Sequence, residues 1–159
     1  MERKPTVYVE TTVPSYLTSW PSTEPVMAGH QKITREWWLT AKDRYDLYVS
    51  DLVILEMTRG DADASSRRLT AVEGLPVIGL SPTVLELAQV YESELHIPLK
   101  ARNDAVHLAL AVVSELDYLV TWNCAHLANG HILRSLREMN DRLGLFQPTI
   151  VTPESLMPA

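Results

Sequence analysis

Five short β-prone runs alternating with helical segments predict an α/β fold with a central parallel sheet of about five strands and helices on both faces. Two further observations point the same way. The run Tyr118-Leu119-Val120-Thr121 is continuously apolar up to its last residue, as a strand covered on both sides is. Polar residues follow the first and fourth runs, and open α/β sheets bind their ligands at the carboxyl ends of strands. The 159 residues, 46% hydrophobic, suit one domain spanning 1–159 with a real core.

Thr6 to Val9 reads as the first strand and delivers Glu10 to a turn, where Thr11 or Thr12 is the expected cap of a short helix through Tyr16 and Leu17. After the loop Trp20 to Pro25, a polar-rich helix is expected from Val26 to Arg44, carrying the adjacent pair Trp37-Trp38. Only one tryptophan of such a pair readily faces the core, so this helix is the first candidate for a contact surface. Leu47 to Val49 is the second strand, and Ser50 then caps a helix running to Arg59, with Gly60 as its stop. Helices from Ala62 to Val72 and from Thr83 to Glu94 flank a third strand, Val77 to Leu80, the second helix opening on Ser81-Pro82.

Ala101, Ala105, Leu108, Ala109, Val112, Val113 and Leu116 recur at helical spacing and predict one apolar face on a helix from Ala101 to Leu116. Asp104 lies at the edge of that face in the first turn, where an acid is favoured by the helix dipole. The fourth strand, Tyr118 to Thr121, ends in Trp122-Asn123, and a helix from Leu127 to Leu143 leads to a fifth strand, Thr149 to Val151.

A formal charge of −6 argues against a general nucleic-acid wrapper but permits a basic rim around an acidic site. The single cysteine, Cys124, excludes an intrachain disulfide and a cysteine zinc cluster. The N-terminus has no signal-like apolar segment and no run reaches membrane-spanning length, so a cytoplasmic protein without membrane contact is expected.

Glu10 ends strand one, Asn123 follows strand four, and Glu56 and Asp104 ride on helices packed near those ends. Three carboxylates in one pocket repel unless a cation neutralises them, and oxygen-only ligands select hard ions, Mg²⁺ or Mn²⁺. The chemistry this predicts is phosphodiester hydrolysis.

The segments Y-V-E-T-T-V-P-S-Y-L, S-D-L-V-I-L-E-M, N-D-A-V-H-L-A-L-A and D-Y-L-V-T-W-N-C, in this order, resemble the PIN-domain nucleases, especially the VapC-like toxins of type II toxin-antitoxin pairs. The resemblance spans nearly the whole chain and implies a single PIN-like domain. It matches Glu10, Glu56 and Asp104 to the family's first three acids and Asn123 to the last, with Thr12 and Thr121 as supporting polar positions. It further implies a Mg²⁺- or Mn²⁺-dependent endoribonuclease, a homodimer, and an antitoxin that occupies the acidic cleft. Two positions depart from the pattern. Glu10 is one methylene longer than the usual aspartate, and Asn123 is neutral, which favours one ion over two or a lower activity. A catalytically weak PIN-like module that binds RNA or an antitoxin without efficient cleavage is the alternative.

Lys100 and Arg102, just ahead of Asp104, are placed to meet an RNA phosphate, and single-stranded or loop RNA is the expected substrate because its bases can be splayed out. Taken singly, each of these residues has a plainer role: Asp104 as a helix-dipole acid, Glu56 as an outward-facing side chain, Glu10 as a turn acid, the basic residues as solvated charges. Cys124 with His126 suggests a thiol nucleophile and base, but no orienting acid is evident in the sequence. Trp122 reads as a packed aromatic at the strand end.

Overall fold

The computed structural model describes residues 2–158. Strands β1 (Thr6–Val9), β2 (Asp46–Ser50), β3 (Val77–Ile78), β4 (Tyr118–Val120) and β5 (Thr149–Val151) form one parallel sheet in the order β3-β2-β1-β4-β5. The chain steps outward from β1 to β3 on one side and resumes at β4 on the other. The topological switch therefore lies between β1 and β4, and Val9 pairs there with Val120 immediately before Glu10 and Thr121. All four β1 residues are buried, which is why the run carries no alternation.

The helices are α1 (Thr12–Thr18), α2 (Pro25–Arg44), α3 (Asp51–Met57), α4 (Ala62–Ala71), α5 (Pro82–Glu94), α6 (Arg102–Val113) and α7 (Gly130–Leu143). Glu24, Ser50, Asp61, Ser81 and Asn129 each cap a helix by accepting a backbone N–H of its first turn. Thr11 occupies the cap position of α1 but does not cap it, because its hydroxyl is used elsewhere.

Several expected boundaries shift, and the helix expected to run to Arg59 ends at Met57. The helix expected from Ala101 to Leu116 begins as a 3-10 turn at Leu99–Ala101 and ends at Val113. Glu115 takes φ 51°, and the Leu116 N–H bonds back to the Ala111 carbonyl at 3.1 Å. This is a Schellman-type stop that tucks Leu116 into the core beyond the helix end. The last helix starts at Gly130 rather than Leu127, since the N–H groups of Leu127 and Ala128 close a turn on the Asn123 carbonyl. Strand β3 stops at Ile78, and with Val77 half exposed it forms a short sheet edge.

Helix α6 is also not apolar on one face only. Every residue from His107 to Val112 is buried, because α6 packs extensively against α5 while another face turns to the sheet; Val113 is exposed instead. Trp37 is fully buried and Trp38 only partly, as expected of adjacent tryptophans. No helix among the described residues is long and apolar enough to cross a membrane.

The β1–β4 register is fixed at its amino end by Asp117. Its carboxylate accepts from the Thr6 N–H at 2.8 Å and the Thr6 hydroxyl at 3.0 Å, while its own N–H donates to that hydroxyl at 2.9 Å. The Thr6 N–H, with the Thr6 hydroxyl and nearby Arg3, outweighs partial burial and holds the carboxyl below the usual aspartate range. A folded-state pKa below the unfolded one contributes stability that is present above the unfolded value and lost as pH falls through the folded value. Asp117→Asn is therefore expected to cost about 1 kcal/mol near neutral pH, the worth of the charged hydrogen bonds discounted for exposure. That difference should shrink in acid. Urea melts of both proteins at neutral and acidic pH check this, and an equal gap at both would refute the assignment.

Candidate functional site

The site is built at the switch between β1 and β4. Strand β1 ends by placing Glu10, only 4% exposed, under the start of α1. Its Oε1 accepts the Thr12 N–H at 3.1 Å, the Thr12 hydroxyl at 2.5 Å and the Thr121 hydroxyl at 2.6 Å. The two threonines in turn accept backbone N–H groups from the chain beyond β4, Trp122 to Thr12 and Asn123 to Thr121, both at 2.9 Å. The carboxylate is thereby tied to both strands at the switch. Among the described residues, Oε2 of Glu10 receives no hydrogen bond.

Helix α3 presents Glu56 from the opposite side. Its Oε1 accepts the Thr11 hydroxyl and the His107 Nε2–H, each at 2.7 Å. Burial raises the pKa of Glu56, but the His107 hydrogen bond and charge, with Thr11 and Asn103, outweigh it and keep the carboxyl ionised below its ordinary range. His107, on α6, is completely buried, and its Nδ1 lies 2.6 Å from the Tyr8 hydroxyl, which lies 2.8 Å from Ser50 Oγ. Ser50 Oγ also accepts the Val53 N–H at 3.1 Å. Burial opposes the charged ring, but the bond to Glu56 and the negative charges of Glu10, Glu56 and Asp104 prevail, and the His107 pKa is raised. Tyr8 is pushed well above its usual value, mainly by burial, so its phenol stays protonated.

One oxygen or nitrogen each of Glu10, Glu56 and His107 lie within 4.8 Å of one another. His107 is nevertheless a poor ligand, since both its nitrogens are engaged, one by Tyr8 and one by Glu56. The donor set that fits an ion is oxygen: the uncommitted Oε2 of Glu10 and the carboxylate of Glu56. Such ligands suit a hard divalent cation.

Asp104 and Asn123 sit nearby but make other bonds. Asp104 Oδ2 pairs with His126 Nδ1 at 3.1 Å. The Asn123 Oδ1, expected to offer an oxygen to an ion or water, accepts the N–H groups of Ala125 and His126 at 3.2 and 3.0 Å. Its carbonyl lone pairs are committed to the turn that carries His126. The acid that no sequence pattern assigned to His126 is thus Asp104. Cys124 is exposed and makes no hydrogen bond to His126 among the described residues, so the thiol arrangement is not assembled.

Trp122 is packed as expected, 6% exposed, with Nε1 donating to Thr34 at 2.7 Å and its ring stacked 4.0 Å from His30. Tyr16 stacks on the same pair. Its hydroxyl pKa is raised by burial and by the neighbouring Cys124 and Glu10. Lys100 and Arg102 are exposed and line a cleft with Asn103, beside Glu56.

Local pattern assigns no site role to His107 and gives Thr11 only that of a cap, yet both hold Glu56. The available signal was a histidine three positions after Asp104, in the middle of an otherwise apolar helix, where a polar side chain needs partners.

No family model and no curated protein matches this sequence. Solved structures do. The toxin VapC20 of Mycobacterium tuberculosis, which cleaves the sarcin-ricin loop, superposes with a TM-score of 0.59 at 13% identity, covering 75% of this chain and 91% of that one. VapBC2 of Rickettsia felis, bound to a DNA fragment from its promoter, gives a TM-score of 0.56 at 15% identity, covering 92% of this chain and 98% of that one. By its five-stranded parallel sheet and these superpositions, the chain has the PIN-like α/β fold of the VapC structures.

Proposed function

We propose that the protein is a Mg²⁺- or Mn²⁺-dependent endoribonuclease and the toxin of a toxin-antitoxin pair, acting as a single cytoplasmic PIN-like domain in a homodimer. The observation that carries this reading is the pair Glu10 and Glu56. Two carboxylates are held within 4.8 Å at the carboxyl end of the sheet, and one of them, although buried, keeps an oxygen free of any protein donor. Burying such a pair costs free energy that a structural role does not require.

In this reading Glu10 and Glu56 hold the ion, and Asp104 joins them from the first turn of α6. Thr12 and Thr121 keep Glu10 aimed, and Thr11 and His107 do the same for Glu56. Asn123 shapes the turn that sets His126 on Asp104, and its amide nitrogen, not its oxygen, remains to meet substrate or water. A divalent ion supplies Lewis acidity toward a phosphodiester and neutralises the developing charge. The fold likeness to VapC20 and VapBC2 supports RNA as substrate and an antitoxin as partner.

A second reading has its own observation. Asp104 Oδ2 is engaged by His126 and the Asn123 oxygen by the turn, so fewer oxygens are free to meet an ion than the four side chains carry. The same protein would then bind RNA or an antitoxin without efficient cleavage.

One experiment separates the two. Purified protein and Asp104→Asn are incubated with a pool of single-stranded and structured RNA, with Mg²⁺, with Mn²⁺ or with chelator. Cleavage that requires metal and falls at least about 10²-fold in the variant is expected, the scale on which preorganised electrostatic groups act. Indistinguishable behaviour of the two proteins under every metal condition would defeat the nuclease reading and favour the binding module.

A further inference from the structure

Beside the acidic centre opens a cleft of about 690 Å³ lined by Arg59, Leu99, Lys100, Arg102 and Asn103. Its position follows from the fold. Arg59 stands three residues beyond Glu56, just past the end of α3, and Lys100 and Arg102 stand immediately ahead of Asp104 at the start of α6. The helices that bring Glu56 and Asp104 to the centre thus also set the two walls of the cleft. Asn103 joins the two places, since it lines the cleft and its side chain also acts on Glu56.

Three cations gather around this one concavity. The protein carries a net charge of −6, yet the three cations here have no carboxylate within ion-pair distance among the described residues. Elsewhere Arg3, Arg67 and Arg134 are paired with Asp117, Asp63 and Glu138, and Arg44 and Arg68 donate to backbone carbonyls. Lys32, Arg35, Lys42, Arg137 and Arg142 have no carboxylate partner either among the described residues, so what sets the cleft apart is that three cations line one concavity. Unpaired like charges drawn together around one concavity repel, and an anion relieves that repulsion. Leu99 adds an apolar side chain, 70% exposed, within the same cleft. Phosphate beside an apolar surface is the chemistry of a nucleotide, with a charged backbone and a flat base or ribose.

We propose that this cleft is a nucleotide subsite for the RNA strand, in which Arg59, Lys100 and Arg102 hold backbone phosphates next to the scissile one and Leu99 contacts a base or ribose. The inference rests on RNA being the ligand of the acidic centre. It adds a direction: the strand leaves that centre across Asn103 and runs between the end of α3 and the start of α6.

The test is equilibrium binding of a short fluorescein-labelled single-stranded oligoribonucleotide, followed by anisotropy over a range of NaCl concentrations in chelator, where a metal-dependent nuclease does not cut. Each phosphate contact on a single strand contributes about 0.7 to the slope of log K against log salt. The combined variant Arg59→Gln, Lys100→Gln, Arg102→Gln is expected to lose about 2 from that slope and to bind at least tenfold more weakly at low salt. Arg134→Gln with Arg137→Gln, on exposed α7, is the control and should change neither. Leu99→Ala should weaken the RNA a few-fold while leaving the slope intact.

An unchanged slope in the triple variant, an equal fall in the control, or no RNA binding by the unmodified protein overturns the proposal. So does an oligoglutamate of equal charge that binds as tightly and loses as much, which would mark a docking surface for an acidic protein segment. Binding is read without cleavage, so a protein that binds RNA here but never cuts it leaves the subsite standing while the nuclease reading fails.

Discussion

Replacing Glu10 by glutamine is expected to reduce metal-dependent RNA cleavage by about 10²-fold or more while leaving the fold intact, an outcome that follows from how the carboxylate is held. Oε1 accepts three donors from Thr12 and Thr121, and a glutamine carbonyl can accept the same three. What the substitution removes is the negative charge and the free oxygen at Oε2. Without metal, the unmodified protein bears two like charges within 4.8 Å. Glu10→Gln relieves that repulsion and should melt at the same temperature as the unmodified protein or above it, a trade of stability for function.

Added Mg²⁺ or Mn²⁺ then separates the two proteins. An ion that binds only the folded state stabilises it by about 2.7 kcal/mol at a hundred times its dissociation constant. The unmodified protein should gain stability with metal, and Glu10→Gln should gain little. Melting curves with and without metal measure this independently of any RNA. Equal stabilisation of both proteins would place the ion away from Glu10.

Much of this arrangement could be read along the chain, and the parts that could not share one cause. Strands and helices were legible from local pattern, because β-prone runs, caps such as Ser50 and Ser81, and the proline of α5 act within a few residues. The carboxylates Glu10 and Glu56 were legible because each sits just past or on an element whose end faces the switch. Sheet order was not written locally, since nothing in β3 says that it lies at an edge. Side-chain pairing was not local either. Thr11 reads as a cap, yet its hydroxyl reaches 45 positions along the sequence to Glu56. Asn123 reads as a ligand, yet its oxygen serves the N–H groups two and three residues on, a local bond that an asparagine after a strand readily makes. The apolar spacing of α6 suggested one face because it counts only apolar residues. His107 is polar and fully buried, and its burial rests on partners from β1 and α3.

Those partners make His107 the place for the second large effect. A neutral ring protonated at Nε2 donates to Glu56 and accepts the Tyr8 phenol at Nδ1; the Ser50 hydroxyl then donates to Tyr8 and accepts the Val53 N–H. A second proton at Nδ1 reverses the bonds to Tyr8 and Ser50 and keeps the one to Glu56. In either state the imidazole holds Oε1 of Glu56 at 2.7 Å and so restrains the carboxylate.

His107→Leu fills similar volume but ends that restraint, removing a donor from Glu56 and a partner from the buried Tyr8 hydroxyl. The expected cost is about 1–3 kcal/mol of stability and about 10–100-fold in Mn²⁺ affinity, the scale on which residues that orient a metal ligand act. His107→Gln distinguishes orientation from packing. Its amide can still donate to Glu56, so it should recover most of the metal affinity even where its melting temperature stays low. Mn²⁺ titrations followed by electron paramagnetic resonance, paired with thermal melts, read the two quantities separately. If both variants lose stability and both keep full Mn²⁺ affinity, the histidine only fills space, and Thr11 alone suffices to aim Glu56.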